Sequence, residues 1–285
     1  MKRAARAYAD PLERGWFYLF RCYGLIVLFF LVVPLVVIIP LSFSASPYFS
    51  FTHQMLTLQP AGYSTRWYAN FFNSGSWLRA VGNSFLIAPI AAAIATGLGT
   101  LAALGLTRAQ MPFRGLITGI LILPMIVPLI ITATALFFFF SALHLVNTYA
   151  GIIIAHSILG VPFVVITVSA TLSGFDQQFY RAALSLGASP RHAFFKVTMP
   201  LILPGIISGA LFAFMTSFDE VVIVLFIAGP TQRTLPLQMW TNLRYTIDPT
   251  ILAVGTLVLM VAIVLLAGLE FVRRRSLAMR RVTPS

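Results

Sequence analysis

The chain is a succession of long apolar runs separated by shorter, more polar stretches. Six runs stand out, near residues 22–43, 81–106, 115–140, 149–172, 201–227 and 251–272. Each is close to or above the roughly 20 residues a helix needs to cross the hydrocarbon core of a bilayer. No alternation of apolar and polar positions of the kind that marks barrel strands is present. Backbone in lipid must satisfy its own hydrogen bonds, so the runs predict an all-α, polytopic membrane protein with six transmembrane helices. Pro34, Pro40, Pro89, Pro124, Pro128, Pro162, Pro200 and Pro204 lie in or beside the runs. An interior proline removes a backbone donor and kinks or splits a helix. Such breaks are either ordinary bends or the marks of broken helices along a pathway.

The stretches between the runs carry their own signals. Residues 44–80 are more polar and hold Trp67, Tyr68 and Trp77. They read as an interfacial loop with a short helix around 64–72. In 228–250, Gly229, Pro230 and Pro236 suggest a turn and a short element near the outer mouth, with Trp240 and Tyr245 either contacting solute or, the favoured reading, anchoring it at the interface. Asp248 and Pro249 read as a helix-start turn before the sixth run.

The stretch FDQQFYRAALSLGASPRHAFFKVTMPLILPG, residues 175–205, is different. Phe179, Ala182, Ala183 and Leu186 share one helical face. Gly187 suits the left-handed cap that ends a helix. Ser189 and Pro190 then suit an N-cap and a first helical position. Ala193, Phe194 and Val197 carry the next apolar face. The prediction is two short helices joined at 187–189. The segment is too short to span and too apolar for a free linker. It either lies against the protein's own cytoplasmic face or docks in a groove on a partner.

Composition supports the membrane reading: 59% of the 285 residues are hydrophobic and 9% charged, and the mean hydropathy is +0.92. The net charge of +12 would suggest nucleic acid in a soluble protein. Here the basic residues flank the apolar runs. Lys2, Arg3, Arg6, Arg14, Arg21, Arg108, Arg114, Arg181, Arg191, Lys196, Arg273, Arg274, Arg275, Arg280 and Arg281 fall on one side of a six-span topology. Only Arg66, Arg79, Arg233 and Arg244 fall on the other. Positive residues stay inside, so both termini and the 176–198 hairpin are expected in the cytoplasm, with no nucleic-acid partner. The basic leader and first run resemble a signal peptide, but the run, near 24–41, exceeds a signal h-region and reads as a retained span.

Seven acids are present, and two of them, Asp219 and Glu220, lie inside the fifth run. An intramembrane carboxylate costs about 2.5–3.5 kcal/mol on insertion scales and marks a functional site by default. On a continuous helix the two would point roughly 100° apart, so they would not face a cavity equally. They either pair with a neighbouring helix or attract a cation. No Lys or Arg lies deep in any run to pair with them. His156, Asn83, Ser84, Thr132 and Thr134 read as helix-to-helix hydrogen bonders, and Glu270 with Arg274 as a helix-end ion pair.

Other chemistries find no support. No phosphate-binding G-x-x-x-x-G-K-[ST] loop occurs. No Cys/His metal spacing or serine triad is arguable, so neither a cofactor nor catalysis is expected. Cys22 is the single cysteine and reads as a small hydrophobe.

AALSLGAS, followed by FFKVTMPLILPG, resembles the cytoplasmic "EAA" loop of ABC-importer permeases. The matching positions are Ala182, Ala183, Gly187, Pro200 and Pro204. The resemblance implies a type I, MetI-like permease architecture. Residues 1–21 would be a cytoplasmic segment, 22–272 the permease domain and 273–285 a basic cytoplasmic tail. It implies that 176–198 forms coupling helices in a cleft of an ATP-hydrolysing subunit, with Arg181, Ala182, Ala183, Gly187, Ala188, Ser189 and Pro190 at the contact. The family usually has an acid before the two alanines; Arg181 inverts that charge. The stretch SFDEVVIVLFIAGPTQRTLPLQMW, 217–240, is similar to the spermidine/putrescine permease group, in particular its C-type subunit. The implied partners are ATP-binding cassette subunits, a second related permease and an extracytoplasmic solute-binding protein, in a bacterial inner membrane. The implied solute is a polyamine or similar organic cation. Another solute (an opine, an amino-acid derivative, an iron complex), a proton-coupled carrier or a membrane scaffold are the alternatives.

Overall fold

The computed structural model describes residues 11–107, 111–174 and 177–281. Its helices follow in order: α1 (Pro11–Ser42), α2 (His53–Leu56), α3 (Arg66–Asn73), α4 (Gly75–Leu106), α5 (Arg114–Ile126), α6 (Leu129–Ala142), α7 (Tyr149–Ser173), α8 (Gln177–Ser185), α9 (Pro190–Ala193), α10 (Met199–Phe218), α11 (Val222–Ile227), α12 (Leu235–Tyr245) and α13 (Thr250–Arg281). The leader 1–10, Arg108 and Asp176 lie outside the described residues, as do the side chains of Glu270, Arg274 and the basic tail.

The chain divides into two compact units, residues 1–74 with 245–285, and 75–244. In the first, α1 is apolar and exposed over most of 15–36, Cys22 included. It belongs in hydrocarbon or against another apolar surface. The segment between α1 and α4 carries its short helix, α3, near the expected position and is ordered by its own contacts. Trp67, expected at an interface, is buried, and its Nε1 donates to the Ser44 carbonyl at 2.8 Å. Asp248 Oδ1 accepts from the Thr250 N–H at 2.9 Å and from its hydroxyl at 2.8 Å, the expected start of α13.

The second unit is built on α4, α7 and α10. Their contacts rest on small residues: Ala88, Ala91, Ala95, Gly99 and Ala103 on α4 are all buried. Without a solvent to expel, membrane helices associate by close van der Waals packing, which small side chains permit. A Cβ on Gly99 would lie 2.6 Å from Val164 Cβ, and one on Gly160 2.9 Å from Ala95 Cβ.

Two of the expected spans are not continuous rods. The run 115–140 bends by 103° between α5 and α6. Val127 is extended there (ψ 134°), as the residue before Pro128 must be to avoid the proline ring. The run 201–227 is also corrected. Its helix begins at Pro190, passes unbroken through Pro200 and Pro204, and stops at Phe218. Asp219, Glu220 and Val221 interrupt it before α11. Pro200 is accommodated by a π-helical turn, Phe194–Thr198, in which the Met199 N–H bonds to the Phe194 carbonyl. A π turn widens the helix just before a proline, whose ring clashes with the carbonyl four residues back in a regular α-helix.

Candidate functional site

The two interruptions meet. A cavity of about 490 Å³ is lined by Met215, Thr216, Asp219, Glu220 and Val221 from the break after α10 and by Leu129, the first residue past the 103° bend. Irregular backbone at membrane depth is tolerated where it lines a cavity. Asp219 is exposed into it. Glu220 is 6% exposed, and its Oε1 accepts from the Ile223 N–H at 2.9 Å. The first N–H groups of a helix lack intrahelical partners, and this carboxylate supplies one for α11. The two acids therefore divide by backbone geometry, not by angle around a continuous helix: one is structural, the other open. The Asp219 N–H bonds to the Met215 carbonyl at 3.1 Å, closing the last turn of α10. That turn presents the carbonyl-rich, partly negative end of a 20-residue helix beside the carboxylate. Anion and helix end together favour a cation.

Among the described residues no aromatic ring lines the cavity. Phe214 and Phe218 stack at 5.6 Å, and Phe218 meets Phe85 edge-on at 5.4 Å, on the packed side of α10 towards α4. Among the described residues no group of His, Cys, Asp and Glu suits a metal.

The hairpin forms as the sequence dictates. The Gly187 N–H bonds to the Leu184 carbonyl at 3.0 Å and the Ala188 N–H to the Ala183 carbonyl at 3.1 Å, the paired bonds of a Schellman cap. Gly187 has φ +86°. Ser189 Oγ accepts from the His192 N–H at 3.3 Å, and Pro190 opens α9. Arg181, Ala182, Gly187, Ser189 and Pro190 are exposed, and Ala183 and Ala188 half-buried. Phe179 is 61% and Leu186 88% exposed. The apolar face of α8 thus lies open and is not laid against the protein's own surface. From Pro190 the helix runs on into α10 and stops at Phe218, just before Asp219, so hairpin and cavity share one rod.

Other polar residues have definite jobs. His156 Nδ1 lies 2.7 Å from Ser217 Oγ, joining α7 to α10 as anticipated. Thr134 bonds within its own helix, to the Ile130 carbonyl at 2.8 Å. Asn83 and Ser84, on α4, reach the first residues of α7 and α12, as expected of helix-to-helix bonders, and they also hold a loop. Asn83 Nδ2 donates to the Thr231 and Arg233 carbonyls at 2.9 and 2.8 Å, while its Oδ1 accepts from the Tyr149 hydroxyl at 2.9 Å. Ser84 Oγ accepts from the Leu235 N–H at 2.8 Å. Neither this clamp nor the small-residue face of α10 follows from the hydropathy pattern. The spacing of Gly205, Gly209, Ala213 and Ser217 is the signal in the sequence that points to the latter. Trp240 and Tyr245 are exposed, with the Arg244 guanidinium 4.7 Å from the Trp240 ring centre.

Comparison with known proteins places this geometry. A family profile described as binding-protein-dependent transport system inner membrane component matches residues 95–276. The putrescine transport system permease protein PotI of Escherichia coli (strain K12) is 38% identical over 223 residues, 74% of this chain and 78% of that protein. The spermidine/putrescine transport system permease protein PotC of the same organism is 30% identical over 245 residues, 86% and 90% of the two chains. One chain in the crystal structure of a bacterial ABC transporter involved in the import of the acidic polysaccharide alginate superposes with a TM-score of 0.69. The identity is 14%, over 94% of this chain and 98% of that one. That last likeness is one of fold.

Proposed function

The chain belongs to the family of binding-protein-dependent transport system inner membrane components, and from that premise we propose that it forms half of the pathway by which a polyamine or similar small organic cation crosses the bacterial inner membrane. The other half is a second, related permease. ATP hydrolysis belongs to two cassette subunits, and an extracytoplasmic binding protein delivers the solute. Both termini face the cytoplasm, in keeping with the bias of Lys and Arg. The fold alone does not choose the solute, since a chain of the same fold serves an acidic polysaccharide. What favours a cation is Asp219: a carboxylate open to a cavity where two broken helices meet, beside a helix C-terminus and without a basic partner among the described residues.

The mechanism follows from the shared rod. Closure of the ATPases moves the hairpin, whose exposed apolar face seats in their cleft. The continuous helix Pro190–Phe218 carries that displacement to the break at Asp219. The cavity then alternates between the two sides, and the protonated amine is released once the carboxylate and helix end no longer enclose it. The test is labelled putrescine uptake by the whole transporter in a host stripped of its own polyamine systems. Uptake that requires ATP hydrolysis in the partner and fails with Asp219→Asn supports the reading. Uptake that ignores the ATPase and follows the proton gradient overturns it.

A further inference from the structure

α10 turns one face to α7 at a four-residue spacing: Gly205, Gly209, Ala213 and Ser217. The opposing α7 residues are Thr171, then Thr167 with Val164, then Gly160, and finally His156. The first three rungs are contacts of atoms. A Cβ on Gly209 would lie 2.9 Å from Val164 Cα, and one on Gly160 3.0 Å from Ala213 Cβ; Gly205 faces Thr171 more tightly still. These glycines let the two backbones approach but, being smooth, leave rotation and sliding weakly fixed. The fourth rung is of another kind. His156 is 1% exposed and Ser217 3%, and their side chains hydrogen-bond at 2.7 Å.

The placement of this rung gives it a consequence. Ser217 is the penultimate residue of α10, and Asp219 follows the helix end. Two positions along a helix is a rotation of roughly 200°, so a bond that turns Ser217 into α7 turns Asp219 away from it, towards the cavity. Beyond Asp219 the chain is tied again, by the bond of Glu220 to Ile223. Asp219 is therefore suspended between two fixed points, one on each side of the break. We propose that His156 is the positioning residue of this site: through Ser217 it sets the rotation of the last turn of α10 and so aims the Asp219 carboxylate at the solute. This role rests on the reading of Asp219 as the cation-facing group. The hydrogen bond is directional where the three rungs below it are not, and it lies at the end of the rod where angular error would be greatest.

The experiment uses the assembled transporter with both permeases and the ATPase. A Cys22→Ser background carries a single new thiol at Thr216→Cys, on the cavity wall. Its reaction rate with a cationic thiosulfonate reports the cavity without any solute. Into this go His156→Leu, Ser217→Ala, the double variant, and His156→Asn, whose amide reaches about as far as Nδ1. The same His156 and Ser217 variants without the added thiol are assayed for labelled putrescine uptake, with KM and maximal rate measured separately. His156→Leu and Ser217→Ala are each expected to change the thiol rate and raise KM by roughly fivefold or more, the factor a buried hydrogen bond commands. The double variant should do no more than either single, and His156→Asn should recover most of the loss. Recovery by the amide, with KM moving more than the maximal rate, separates positioning from bulk packing. Unchanged thiol rate and unchanged KM in His156→Leu overturn the proposal, as does a fall in maximal rate alone. If His156→Leu fails to assemble, Ser217→Ala, which removes one atom, decides between the same two outcomes. A shifted thiol rate in a transporter that takes up no putrescine supports the aiming role of His156 and overturns the polyamine reading.

Discussion

The carboxylate of Glu220 accepts the Ile223 N–H at 2.9 Å, which commits that side chain to starting α11. Its neighbour Asp219 makes no such bond and opens onto the cavity. Adjacent acids in a membrane helix invite a single explanation, yet these two are placed differently. A cap must lie against a helix N-terminus, and a cation-attracting group must be reachable.

Substitution should separate the roles. Asp219→Asn keeps shape and removes charge; uptake of a cationic solute should fall about tenfold or more, with thermal unfolding of the purified complex unchanged. Glu220→Gln retains an acceptor oxygen and should keep both transport and stability. Glu220→Ala removes the cap and should cost about 1 kcal/mol of stability. Equal uptake losses for Asp219→Asn and Glu220→Gln would refute the division.

The hairpin turn makes a second, independent case. At φ +86° Gly187 occupies backbone space that side chains disfavour, although a Cβ there would touch nothing within 4 Å. The penalty for Gly187→Ala is thus conformational alone, about 1–2 kcal/mol. Because the hairpin is exposed, that loss should appear as weaker retention of the ATPase subunit during purification, with the rest of the fold intact. Gly187→Asn should be milder, since asparagine tolerates the left-handed region. Indifference of ATPase retention to both would mean that the turn does not shape the docking surface.

Much of this is legible in the sequence, and the rest is hidden for definable reasons. The apolar runs give the spans, and Gly187, Ser189 and Pro190 give the hairpin, because caps and turns are local. The bend at Pro128 is visible as a proline, but its size depends on α6 packing against α11. The fifth span reads as a rod beginning at 201, and that expectation fails at both ends. Nothing in the hydropathy distinguishes a helix that starts at Pro190 and stops at Phe218 from one that runs on to Ile227. The acids stand out by their cost, yet their division depends on a break that only tertiary contacts fix. Trp67 looks interfacial because its neighbours are polar, and it is buried because the loop folds over the Ser44 carbonyl.

Helix contacts supply a third prediction through paired glycines. A methyl on Gly209 meets the Val164 backbone, whereas one on Gly82 meets nothing within 4 Å. Gly209→Ala must push α7 and α10 apart and should destabilise by about 1–3 kcal/mol. Gly82→Ala, in the interior of α4, should be neutral or stabilise by about 0.5–1 kcal/mol. Thermal unfolding of the two variants side by side reads the difference. A similar loss for both would show that helix α10 is not held at the separation described.

The loop clamp gives the last. Asn83 uses both amide hydrogens on the Thr231 and Arg233 carbonyls and its oxygen on the Tyr149 hydroxyl. This residue thus ties together α4, the start of α7 and the segment joining α11 to α12. Asn83→Ala leaves two carbonyls and a hydroxyl to find other partners, at about 1–3 kcal/mol for each that stays buried and unpaired. Asn83→Asp is the sharper probe. It keeps the acceptor for Tyr149 but sets a carboxylate oxygen against two carbonyl oxygens 2.8–2.9 Å away, where donors stood. If donation to the loop is what matters, Asp should destabilise at least as much as Ala despite its closer shape. Limited proteolysis within 228–234 should also accelerate in both variants while the hairpin at 187–189 is cut at the original rate. If Asn83→Asp proved as stable as the unaltered protein, the loop would have to be held by Ser84 and Tyr149 alone.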